Sequence, residues 1–168
     1  MDKLNVKRSN KMLGMLFDEW KHHTNEGRPL SIKWNIMHMY SSSQLAKLYA
    51  IKNGLDIELC SLIAILHDIA VVEGKFRKDH DSLAGSYVSK AIERYNKRYL
   101  QKGLGINAEE ELLIIEAIST HSDKENFTEL VYSEMLKDID SLDRYLYGIE
   151  TNNGYQKRVK DQIKNKSM

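Results

Sequence analysis

An adjacent histidine and aspartate, His67-Asp68, close the apolar run Leu59-Cys60-Ser61-Leu62-Ile63-Ala64-Ile65-Leu66. Burying an imidazole and a carboxylate without partners costs on the order of several kcal/mol, so a bound group must compensate, and a metal ion does so best. Four more side chains of ligand type stand elsewhere in the chain: His38, His80, His121 and Asp140. Mixed imidazole and carboxylate donors suit Fe, Mn, Co, Ni or Zn, whereas an all-oxygen set would suit Mg or Ca. The expected chemistry is metal-assisted, with one or two divalent ions, and Mg is retained as a further option.

Helical spacing aims these residues inward, since positions i, i+3, i+4 and i+7 share a face. His67 shares a stripe with Cys60, Ile63 and Ala64, and His121 with Ile114, Ala117 and Ile118. His38 lines up with Leu45 and Tyr49, His80 begins the stripe Ala84-Tyr87-Ala91, and Asp140 shares a face with Leu136, Asp143 and Tyr147. Neighbours on a helix diverge by about 100°, so His67 and Asp68 can embrace one ion only if it sits beside the helix end. A lone histidine on an apolar face is ordinarily a core residue, but six such groups on five helices form a pattern of a different kind.

The elements that must position them read as all-α. Apolar residues recur at helical spacing nearly throughout, strand-like alternation is absent, and Pro29 is the one proline. The spacing predicts a first helix over about 4–23, ending at the polar break Thr24-Asn25-Glu26-Gly27-Arg28-Pro29, and a second capped by Ser31 and stopped by Gly54. Asp56 caps a third that ends at His67-Asp68. A basic loop over 71–79 follows, then a helix from about His80 to Leu100 stopped by Gly103 and Gly105. Asn107 with Glu109-Glu110-Glu111 opens the next in capping-box style, a further helix runs over about 128–148, and the basic tail over about 155–168 forms a short, loosely held helix.

The 168 residues, 42% hydrophobic, fit a single domain over 1–168 with its motif-bearing core over about 30–148. Lys+Arg (25) and Asp+Glu (24) nearly cancel, which excludes a global field for a nucleic acid polymer or a membrane surface. The lone Cys60 fits a reducing compartment, and neither a signal-like N-terminus nor a spanning apolar run is visible, so a soluble, cytoplasmic protein is expected. Tyr95, Tyr99 and Tyr132, read as exposed, either cover a homodimer interface or simply pack.

Together, His38, His67-Asp68 and Asp140, the last within Lys137-Asp138-Ile139-Asp140-Ser141-Leu142-Asp143, resemble the H…HD…D pattern of the HD-domain superfamily of metal-dependent phosphohydrolases. The likeness covers roughly 32–148, and His80 and His121 extend it to the longer H…HD…H…H…D pattern of dinuclear members. It implies an all-α bundle of about six to eight helices. It also implies that His38, His67, Asp68 and Asp140 hold one metal, with Asp68 bridging to a second held by His80 and His121.

Departures from the pattern narrow the substrate. Val71 stands where His-Asp-Ile-Gly-Lys members carry lysine, so Lys75, Arg77 or Lys78 would have to replace that cation. Val71-Val72 occupies the place of the Glu-Asp pair of the alarmone hydrolases, no Gly-Tyr-Pro tripeptide of the cyclic-dinucleotide phosphodiesterases is present, and Ser141 stands where the deoxynucleotide triphosphohydrolases carry lysine.

The expected enzyme is thus a metal-dependent phosphohydrolase, in which metal-activated water attacks a phosphate ester or anhydride of a small nucleotide or dinucleotide polyphosphate. Asp68 belongs to its catalytic set, Lys124 is the first candidate to grip a phosphate oxygen and Arg144 the second, each balanced against a solvated-surface reading. Asp143 can orient a ligand histidine or pair with a nearby cation. His22-His23 reads as solvent-facing. A di-iron oxygenase of the same superfamily and a degenerate, non-enzymatic ligand-binding module are the alternatives.

Overall fold

A computed structural model describes residues 4–76 and 78–164 of the chain. The expectations placed on Arg77 and on the tail beyond Lys164 lie outside those residues. Among the described residues there is no strand, and eight α-helices run in the order α1 (Lys7–Trp20), α2 (Ile32–Asn53), α3 (Ile57–Leu66), α4 (Ile69–Glu73), α5 (Ala84–Tyr99), α6 (Ala108–Ser119), α7 (Val131–Leu146) and α8 (Asn153–Lys164).

Their boundaries follow from local chemistry. Ser31 Oγ accepts from the Trp34 amide at 3.1 Å to start α2, and Gly54 ends it in the left-handed region at φ 67°. Asp56 Oδ1 takes the Leu59 amide at 2.8 Å at the head of α3, and Asn107 with Glu110 forms a reciprocal capping box on α6. Helix α1 is capped from a distance. Its amides at Arg8 and Ser9 donate to the buried Glu58 carboxylate of α3, and the Arg8 guanidinium then ties Glu58 at 2.8 Å to Glu110 at 2.6 Å.

Helix α3 is buried from Glu58 to Leu66 and forms the centre of the bundle, packed on α1, α2, α6 and α7. That environment explains its uninterrupted apolar sequence. The core drawn around it includes Met12, Met39, Leu62, Ile69, Val88, Ile114 and Leu136.

Four expectations need correction. Val71–Glu73 lies in the short helix α4, because Val71 and Val72 have core to bury against; the loop starts only at Gly74. His80 sits in a turn ahead of α5, entered through Asp79 at φ 56°, so α5 begins at Ala84. Tyr95 is fully buried, and Tyr99 and Tyr132 pack against the core. Finally, the described part of the basic tail, up to Lys164 in α8, is firmly held. The Arg158 side chain of α8 is buried and donates to Lys124 O at 2.8 Å, Glu134 Oε2 at 2.8 Å, Asp138 Oδ1 at 2.9 Å and Asn126 O at 3.1 Å.

Candidate metal centre

Helix α3 stops at Leu66, and His67-Asp68 forms the joint between α3 and α4. Asp68 takes φ −98° and ψ 15°, a bridge conformation in which many active-site residues are found. Asp68 thus departs from helical geometry, and its Oδ2 lies 3.5 Å from His67 Nε2. His38 arrives from the second turn of α2, Asp140 from α7, His121 from the turn after α6 and His80 from the turn before α5.

These six side chains converge in one continuous cluster, in which His67, His121 and Asp140 also come together and two adjoining groups share Asp68. In the first, His38 Nε2 lies 3.0 Å from His67 Nε2, 3.2 Å from Asp140 Oδ1 and 3.6 Å from Asp68 Oδ2. In the second, His80 Nε2 lies 3.3 Å from His121 Nε2 and 3.4 Å from Asp68 Oδ1. Asp68 therefore offers one oxygen to each group, and the clusters His38/His67/Asp68 and Asp68/His80/His121 are each compact enough for one ion.

The donor set fits a divalent transition metal. His67 Nδ1 and His121 Nδ1 donate to the carbonyls of Ala64 and Ile118, both at 2.7 Å, which leaves each Nε2 lone pair facing inward. His38 Nδ1 is bound by Asp143 Oδ2 at 2.5 Å with the same result. Both Asp68 oxygens are buried with no hydrogen-bond donor. Imidazole nitrogens facing donorless carboxylate oxygens are compatible with a divalent cation between them.

Electrostatics prepare the ligands for that cation. Burial lowers the pKa of His67, and burial together with Lys124 brings that of His121 down to about 3, which keeps the His121 imidazole neutral. Burial works against the Asp68 charge, but His67, His38 and Arg144 outweigh it and hold the carboxyl below its usual range. Burial also opposes a proton on His38, yet the carboxylates of Asp140 and Asp143 lift its pKa to about 9. Metal binding must displace that proton.

The two cations named with the ligands part company. Lys124 is buried; its Nζ lies 2.7 Å from Asp140 Oδ2 and donates to His121 O at 2.5 Å. It braces Asp140 and the His121 backbone and does not line the cleft that opens over Asp68. Arg144 does line that cleft, with Nε donating to Asp140 Oδ1 at 2.9 Å and Nη2 3.8 Å from Asp68 Oδ2. Lys75 reaches back to Glu26 O at 3.0 Å, Lys78 is exposed, and neither lines the cleft. His22 and His23 are exposed.

Two contributors escaped the sequence reading. Trp34 stacks on His38 with ring centroids 5.5 Å apart, and its position four residues before His38 on α2 was the available signal. Tyr155 of α8 lines the cleft and covers Lys124 and Arg144 at 5.0 and 6.0 Å, a placement that no spacing rule conveys. Neither the curated proteins nor the solved structures contain a match to this chain. The family model described as HD domain matches residues 35–146, well over half of the sequence, and spans all six converging side chains. The chain belongs to the HD-domain family, most of whose members are metal-dependent phosphohydrolases.

Proposed function

We infer that this protein is a metal-dependent phosphohydrolase acting on a small phosphorylated compound of the nucleotide class. One observation carries the reading: Asp68 divides its two donorless oxygens between two histidine groups at the floor of a cleft that also presents Arg144. Divalent ions held by these residues would supply a water of lowered pKa and neutralise charge on phosphate oxygens.

The surrounding residues have separate tasks. His38, His67, Asp68 and Asp140 form one ligand set, and Asp68, His80 and His121 the other. Asp143 fixes the His38 ring, while Lys124 restrains the Asp140 oxygen that does not face His38. Arg144, whose side chain lines the cleft, is the group assigned to contact a substrate phosphate oxygen. Phosphoryl transfer asks mainly for such positioning and charge neutralisation.

Metal content, measured beside Mn-, Fe- and Co-supported hydrolysis of a phosphoester and nucleotide panel, tests the reading in wild type and in His67→Ala. Bound metal and hydrolysis lost together in the variant support it. Metal bound at full occupancy with no hydrolysis of any member overturns it.

A further inference from the structure

The cleft over Asp68 is walled differently from its floor. Among the described residues, Arg144 is the one lysine or arginine side chain lining it, and the walls are Pro29, Leu30, Val71, Phe76 and Tyr155. A substrate chain of several phosphates would set charged oxygens against these apolar surfaces, at the cost of desolvation without partners. A flat, uncharged group suits them instead, since aromatic faces accept rings by stacking.

Both aromatic walls are held in place by their surroundings. The Phe76 ring meets Tyr87 edge-on with centroids 6.0 Å apart, and a Cβ on Gly74 would come within 2.4 Å of it, so the loop is built around this ring. Tyr155 follows Gly154, where a Cβ would lie 2.9 Å from Glu125 Cγ and 3.4 Å from the Lys124 carbonyl carbon. This close approach and the buried Arg158 dock α8 on the Lys124 loop and carry Tyr155 to the cleft. Residues 35–146 account for the metal ligands and Arg144, whereas Pro29 and Tyr155 come from outside that span.

We propose that Tyr155, with Phe76, is a specificity-determining residue, and that the substrate is a phosphate monoester of a planar, uncharged group, such as a nucleoside monophosphate. The phosphate meets the metal ions and Arg144, and the ring of the leaving group lies against the aromatic walls. This rests on the phosphohydrolase reading of the metal centre, and it narrows the expected polyphosphate to a single phosphate.

Binding of adenosine 5′-monophosphate and of ribose 5-phosphate to the Mn-loaded protein, measured by calorimetry, separates the base from the phosphate. The wild type should bind the nucleotide at least about tenfold more tightly. Tyr155→Ala should erase most of that difference, Tyr155→Phe should keep it, and metal binding should be unchanged in both. Hydrolysis should show the same split as a rise in KM for the nucleotide in Tyr155→Ala. Equal affinity for the two compounds, no binding of either, equal losses for both in Tyr155→Ala, or tighter binding of adenosine triphosphate than of the monophosphate would each overturn the proposal. A nucleotide preference in binding without hydrolysis of any phosphoester would sink the enzymatic reading and leave the aromatic walls standing.

Discussion

Asp143 Oδ2 lies 2.5 Å from His38 Nδ1, with both residues buried, so a carboxylate outside the His/Asp clusters decides how the His38 ring is presented to them. Losing such an orienting partner typically weakens metal binding by about 10- to 100-fold. Asp143→Asn should show a loss in that range in Mn or Co titrations. Trp34, stacked on His38, provides the signal through quenching of its fluorescence. Unchanged affinity in a folded variant would remove Asp143 from the centre.

Lys124 and Asp140 form a buried ion pair at 2.7 Å. Removing one member of such a pair costs about 3–5 kcal/mol where the other charge is left unpaired, but Arg144 Nε at 2.9 Å and His38 Nε2 at 3.2 Å still face Asp140 Oδ1. Lys124→Met should therefore lower the unfolding free energy of the metal-free protein by less than that full range. Saturating Mn should recover part of the loss, because the ion compensates the same carboxylate. A denaturation midpoint equal to that of wild type would show that Lys124 is dispensable.

The Arg158 guanidinium serves two carbonyls of the 124–126 loop and the carboxylates of Glu134 and Asp138. Arg158→Ala should cost about 3–5 kcal/mol by the same reasoning. Its particular signature is local. Amide exchange should accelerate through α8 and the 148–152 connection, with α3 remaining protected until global unfolding. Uniform acceleration across the chain would contradict a local latch.

Cys60 is fully buried in α3, and burial pushes its thiol up to about 12. Alkylation by iodoacetamide at pH 8 should be slow in the native protein and reach the ordinary thiol rate in denaturant. Because the folded pKa lies above the unfolded value, the neutral thiol contributes stability below about pH 9 that is lost as pH rises toward 12. Cys60→Ala should accordingly weaken the alkaline fall in stability. Rapid native labelling at pH 8 would refute the burial argument.

The helix starts at Ser31, Asp56 and Asn107 are legible in the sequence because a cap is settled within about three residues of itself. The same holds for the stop at Gly54, whose positive φ suits a residue without Cβ. Helix α4 was missed for the opposite reason. Ile69-Ala70-Val71-Val72 is too short to show a period, and only the core beside it makes a helix worthwhile.

For the site, residue types could nominate His38, His67, Asp68, His80, His121 and Asp140, because metal chemistry restricts ligands to a few side chains. Which nitrogen faces inward depends on carbonyls at Ala64 and Ile118 and on a carboxylate 105 positions from His38, and these meet only after the bundle closes. Lys124 and Arg158 mark the limit most clearly. A cation in a polar stretch reads as solvated, since ionised groups resist burial. Acceptors on the 121–126 segment and α7 reverse that expectation, and chain folding alone assembles them around each charge.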